Sequence, residues 1–194
     1  MDRRRGFLTL LLSCALASAS CAPALFKVKP VSELPSLPST AHSADAGNVT
    51  IRVGSLLTDE QSQELFEANV PVAGVLPVRL ELNFHGDAAV ELKKAKFKVR
   101  DNQNREWKLL TTKQAVSLIM KSNDIYAYNP HSKKQFEEDM GAYTVDVKTP
   151  LDSSQRNRSG FLFFLAPDKQ PVDTNSKLTL VIEKLGQPVS IELN

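Results

Sequence analysis

Cysteine is almost missing from this chain of 194 residues: there are 2, Cys14 and Cys21, and none downstream. A disulfide framework, a thiolate metal site and a cysteine nucleophile are therefore excluded from everything after Cys21. Histidine is scarce as well. His42, His85 and His131 are the 3 present, too scattered to offer a close ligand pair or a base beside an evident nucleophile. No glycine-rich phosphate loop, dinucleotide fingerprint or zinc knuckle occurs. Neither sign of charge dominates, with 24 Lys plus Arg against 22 Asp plus Glu. At 42% hydrophobic and 24% charged the chain is neither disordered nor collagenous, and its length fits one globular domain with appendages.

What is present begins at the amino terminus. Asp2 and Arg3, Arg4 and Arg5 precede an apolar run from Gly6 to about Leu16, and small residues lead into Cys21. This charged, apolar, small-residue order is that of a secretory signal, over residues 1 to 20. The apolar run is roughly half the ~20 residues a permanent membrane helix needs. Ser18, Ala19, Ser20 and Cys21 resemble a bacterial lipobox, in which the cysteine thiol receives a diacylglycerol group. Ala17 to Ala19 also fit a general signal-peptidase site, but that cleavage leaves one unpaired thiol without a purpose. Cys21 is thus the expected lipidation site, ahead of Cys14, which would make a very short signal. Arg4 to Leu8 (RRGFL) resemble the twin-arginine core, so both export routes are compatible with the segment. Removing Met1 to Ser20 takes away Arg3, Arg4, Arg5 and Asp2 and leaves 21 residues of each sign. The +2 belongs to the signal, and bulk attraction to nucleic acid loses its support.

Residues 21 to 47 hold four of the 11 prolines among Ser, Ala and Thr. Proline denies regular pairing, so this composition predicts a semi-rigid tether, with a reach on the order of 80 Å at ~3.1 Å per residue. A second reading docks Leu25, Phe26, Val28 and Val31 on the body as a short edge strand. His42 is expected in solvent.

The body, residues 48 to 194, carries period-two alternation, which sends one set of side chains inward. Strands are predicted at Val49–Val53, Val78–Phe84, Ala95–Arg100, Glu106–Leu109, Tyr143–Val147, Phe161–Ala166, Leu178–Ile182 and Val189–Leu193. Thr58 with Gln61 forms a capping box ahead of Leu65 and Phe66. Two further helices are predicted in an insertion at about 111 to 142. The first places Ala115, Leu118 and Ile119 on one face; the second opens on Ser132 with Gln135 and stops at Gly141. Many short alternating strands are satisfied by two packed sheets. Trp107, Phe84, Phe97, Phe161, Phe163 and Phe164 are the expected core.

The order of motifs, with polar turns at Asn83 to Asp87 and Asp101 to Trp107 and a strand ending in proline at Gly160 to Pro167, resembles the immunoglobulin-like domains of unknown function in bacterial lipoproteins and secreted antigens. The resemblance implies an immunoglobulin-like β-sandwich and an envelope location, and it brings no catalytic residues with it.

Two surfaces stand out as binding candidates. Lys94, Lys96, Lys98 and Arg100 form an outward cationic stripe, expected to keep an exposed or edge strand soluble; attraction to anionic envelope polymers or lipid headgroups is the alternative, and the absence of interleaved aromatics speaks against a nucleic-acid platform. Tyr126 and Tyr128, close to Pro130 and His131, are large amphipathic residues typical of partner contacts. The run Glu137, Glu138, Asp139 reads as a solvated helix face. No catalytic, cofactor or metal residues are assigned. The expectation is an exported, membrane-anchored envelope protein, facing the periplasm or the cell surface. Its role is non-catalytic binding or support, with an envelope protein or polymer as partner. A small-ligand carrier and a secreted hydrolase with an unrecognised carboxylate pair are the alternatives.

Overall fold

The computed structural model describes residues 25–126 and 128–194; the signal segment, Cys14 and the lipidation candidate Cys21 lie outside the described residues. Among the described residues, eight antiparallel strands form one sheet: β1 (Ser43–Ala46), β2 (Val49–Ser55), β3 (Val75–Phe84), β4 (Lys96–Asp101), β5 (Glu106–Leu110), β6 (Asn157–Leu165), β7 (Leu178–Glu183) and β8 (Val189–Glu192). Their spatial order is β1-β2-β3-β6-β5-β4-β7-β8. The sheet is nearly closed, because the edge strands β1 and β8 approach each other. The Ser55 hydroxyl spans that seam to the Leu193 carbonyl at 2.8 Å.

The turn in the sheet is made by β5, which changes partners midway. Glu106 and Trp107 pair with β4, whereas Lys108 to Leu110 pair with β6. Trp107 accordingly faces the inner core with Phe84, Phe97, Val99, Phe164 and Leu180. Leu110 faces the opposite side, among the helices.

Those helices are α1 (Asp59–Phe66), α2 (Thr112–Ser122) and α3 (Pro130–Ala142). They cover the outer face of β3 and β6, where Val75, Phe161, Phe163 and Leu165 meet Phe66, Ile119, Phe136 and Met140. This explains the uninterrupted apolar run of β6: a strand covered on both faces has no solvent side to alternate with. The capping box of Thr58 and Gln61 opens α1, and a second one, Thr111 with Gln114, opens α2.

The structure differs from the sequence reading in several elements. The predicted strand at Tyr143–Val147 is absent: Tyr143 caps α3 and buries its ring against Phe66 and Phe161, at 5.4 and 5.9 Å between centroids, and only an isolated bridge joins Thr144 to Phe161. The eighth strand is instead β1, inside the proline-rich segment. Helix α3 starts at Pro130 with Asn129 as cap, because proline at the first helical position has its backbone angle preset and no amide to satisfy; Ser132 is buried inside the helix. Gly141 does not end α3, which runs on to Ala142.

From Leu25 onward the expected tether is laid along the body as a strap. Phe26 is buried, with its ring 4.7 Å from that of Phe136. The Lys29 amide donates to the Leu65 carbonyl at 2.9 Å, and the Lys29 carbonyl accepts from the Tyr143 hydroxyl at 2.7 Å. His42 is exposed, its carbonyl bonded to the Val53 amide.

Candidate functional site

Strand alternation turns Arg52 and Gly54 of β2, and Arg79, Glu81 and Asn83 of β3, away from the inner core. Register then sets Arg52 opposite Glu81 and Gly54 opposite Arg79. Arg52 reaches Glu81 Oε2 at 2.8 Å, and Arg79 reaches Glu81 Oε1 at 3.0 Å. Two guanidiniums thus share one carboxylate.

The strap crosses this cluster and completes it. Proline has no amide hydrogen, so strap carbonyls are left to accept from side chains. Arg79 donates to the Pro35 carbonyl. Arg52 donates to the carbonyls of Leu37 and Pro38, at 3.0 and 2.5 Å, and the Leu37 amide donates to Glu81 Oε1 at 2.9 Å. Gly54 is the gap into which Leu37 fits: a Cβ there would stand 2.7 Å from Leu37 Cδ2.

Under the strap Arg79 is only 8% exposed. Burial pushes its guanidinium below the ordinary arginine value, Glu81 opposes that shift, and Arg52 adds to it. Its Nε–H is buried and has no hydrogen-bond partner. A buried donor left unmade carries a desolvation penalty of about 1–3 kcal/mol, more for a charged group, so native proteins seldom leave one.

Two cavities flank the cluster, and Arg79 lines both. The first, about 650 Å³, is an open polar groove bordered by Arg52, Glu81, Asn83, His85, Asn157 and Ser159. The second, about 360 Å³, lies between the strap and α1, with Leu34, Leu37, Leu56, Leu65 and Phe161 among its walls. In chemical terms the cluster favours holding an anion over activating a nucleophile. Glu81 is the acid that borders the groove, and both its oxygens are occupied by guanidinium groups.

The residues singled out from sequence lie elsewhere. Tyr126 is 71% exposed and Tyr128 42%, in the loop between α2 and α3. They share a shallow depression of about 190 Å³ with Ser117, Met120, Lys121, Ile125 and Lys133. The Lys133 ammonium stands 5.4 Å from the Tyr128 ring centre, and the Tyr126 hydroxyl donates to Asp124 at 3.3 Å. His131 is exposed in the first turn of α3 and is not among the residues lining that depression. His85 is exposed at the polar groove.

Of the lysine stripe, Lys96, Lys98 and Arg100 keep the outward face of β4. Lys94 belongs to a short 3-10 turn, and Lys98 is held between Glu106 and Glu183 at 3.3 and 3.8 Å. Strand β4 lies between β5 and β7, so its lysines do not guard a sheet edge. In the acidic run, Glu137 and Glu138 pair with Lys133 and Lys134 one turn earlier, and Asp139 accepts from Gln135. Among the described residues, no three His, Cys, Asp or Glu side chains are grouped to hold a metal ion.

The arginine cluster was missed in the sequence because its members occupy ordinary outward positions of alternating strands. The signal available was a charged pattern, Arg52 against Arg79-x-Glu81, on two strands expected to be neighbours. Comparison with family models, with curated proteins and with solved structures returned no match.

Proposed function

We propose that this chain is an exported cell-envelope protein, anchored to a membrane through a diacylated Cys21. Its immunoglobulin-like β-domain serves a non-catalytic binding role through the arginine-bearing face beneath the strap. The observation that carries the binding reading is the buried, incompletely bonded Arg79 between two cavities. The anchor rests on the signal pattern ending at Cys21. What supports the sandwich reading is the exchange of partners along β5, from β4 to β6, in a sheet that wraps an inner core.

The strap gives the anchor a consequence. Phe26 is packed on α3, five residues after Cys21, so the extended chain between them spans at most about 18 Å. A diacyl group at Cys21 therefore holds the body close to the bilayer, not at the end of a long tether. Each buried methylene contributes about 0.8 kcal/mol, and two chains suffice for stable attachment. On that surface Tyr126 and Tyr128 remain available to an envelope protein or polymer.

Mass measurement of the mature amino terminus tests the anchor: a diacylglyceryl-modified Cys21 is expected, and an unmodified Ser20 or Cys21 terminus refutes it. The Cys21→Ser chain should move from the membrane to the soluble fraction.

A further inference from the structure

We propose that the cavity between the strap and α1 is a binding site for a small amphipathic carboxylate, its acid group on Arg79 and its apolar body among Leu34, Leu37, Leu56, Leu65 and Phe161. The proposal deepens the binding reading and is independent of the membrane anchor.

Three observations converge on it. The Arg79 Nε–H is buried without a partner, while its two terminal nitrogens already bond Pro35 and Glu81. A carboxylate is the group whose shape suits a guanidinium edge, taking two parallel N–H donors. The local charge is also unbalanced, since Arg52 and Arg79 have only Glu81 between them, and one further negative charge would neutralise the cluster. Finally, the cavity of about 360 Å³ falls in the range of small-molecule sites, and apolar walls with few polar groups are what such sites present.

The remaining charged groups narrow the class. Lys29 of the strap and Glu64 of α1 border the cavity and are paired at 3.1 Å, and Glu33 stands exposed at the same border. With an unpaired acid at the rim, a dianion such as phosphate is disfavoured relative to a monoanion. Arg79 is the one cation at the cavity that is both buried and short of a partner. The carboxylate therefore belongs at the β3 wall and the apolar part toward α1.

Entry requires the strap to yield, and its composition permits this. The strap is held over the cluster by side chains of Arg52, Arg79 and Glu81 and not by a β-ladder.

Octanoate is the probe, titrated calorimetrically into the full chain carrying Cys21→Ser, with 1-octanol, octylamine and inorganic phosphate in parallel. Methyl resonances are followed by NMR. Octanoate should saturate a single site and shift the methyls of Leu37, Leu56 and Leu65. Octanol and phosphate should bind at least tenfold more weakly, and octylamine should not bind. Arg79→Gln should weaken octanoate at least tenfold, and Leu34→Trp, which fills the cavity from the strap and leaves the charges in place, should abolish it.

No saturable octanoate binding, equal affinity for octanoate and octanol, equal affinity for phosphate, or methyl shifts confined to other parts of the protein would each overturn the proposal. Failure of the anchor leaves these titrations unchanged, and their failure leaves the terminal mass unchanged.

Discussion

Arg52 and Glu81 face each other across the β2–β3 ladder, and the strap is fastened where they meet. Arg52 donates to Glu81 at 2.8 Å and, with its other terminal nitrogen, to the Leu37 and Pro38 carbonyls. Glu81 meanwhile accepts from the Leu37 amide and from Arg79. One carboxylate thus organises two arginines and a segment some forty residues distant in sequence.

Removing that charge should be costly. Glu81→Gln keeps the shape but leaves the buried Arg79 and the half-buried Arg52 guanidinium groups without a counter-charge. Breaking a fully buried ion pair costs about 3–5 kcal/mol; because the Glu81 side chain is 21% exposed, about 2 kcal/mol is expected. Urea unfolding at neutral pH measures it, and a change below about 0.5 kcal/mol would mean that the strap and the arginines are held by other contacts.

The limits of sequence reading show most clearly in this same segment. Prolines at 30, 35 and 38 forbid a ladder, and that is what the composition reported. It could not report that Arg52, Arg79 and Glu81 reach up to bond the strap carbonyls and amide, because that depends on the register of β2 against β3. The strands themselves were more legible. Alternation located β2, β4, β7 and β8 to within a residue or two, since each buries one face against the inner core. It misread Tyr143–Val147, where Tyr143 and Val145 are buried in different clusters rather than on one strand face. At α3 the sequence reading takes Ser132 with Gln135 as the start, and the structure instead caps the helix with Asn129 ahead of Pro130.

The strap's amino-terminal end offers a separate test. Phe26→Ala removes a buried ring whose partner is Phe136 and should cost about 3 kcal/mol. Tyr143→Phe deletes only the hydroxyl bonded to the Lys29 carbonyl and should cost about 1 kcal/mol. In both variants hydrogen exchange should accelerate first at the Lys29 amide, which is bonded to α1, before the amides of β3 and β6. Uniform acceleration across the domain would contradict a separable strap.

Acid should weaken the fold through the turn between β4 and β5. Burial pushes the Asp101 carboxyl up, but the Arg105 amide at 2.9 Å, the Arg105 side chain at 2.7 Å and the Gln103 amide at 3.0 Å outweigh it and hold the group below its ordinary value. Asp146 and Asp152 are lowered as well, chiefly by side-chain hydrogen bonds from Thr149 and Ser154. A folded-state pKa below the unfolded one gives stability that is present above the unfolded value, near pH 4, and lost as pH falls through the folded value. Thermal unfolding should be flat from pH 7 to about pH 5 and then fall below about pH 4. Asp101→Asn should lower stability at pH 7 and flatten the acid limb; an unchanged limb would remove Asp101 from the account.

Two glycines separate steric overlap from steric cost. A Cβ on Gly54 would come within 2.7 Å of Leu37 Cδ2, and one on Gly160 within 2.6 Å of the Val145 Cα and amide nitrogen. The overlaps are nearly equal, but the obstacles are not. Leu37 presents the end of a flexible side chain on the half-buried strap, which can rotate aside. Val145 presents backbone fixed on both sides, by Tyr143 and Thr144 before it and by its own hydrogen bond to the Phe161 carbonyl at 3.1 Å. Gly54→Ala should therefore change global stability by no more than about 1 kcal/mol while loosening the strap, whereas Gly160→Ala should cost about 3 kcal/mol because the chain at 144–145 must lift off β6. Paired denaturant titrations decide it: equal losses would mean that the strap is as rigidly seated as the backbone over β6, and the entry route to the Arg79 cavity would have to lie elsewhere.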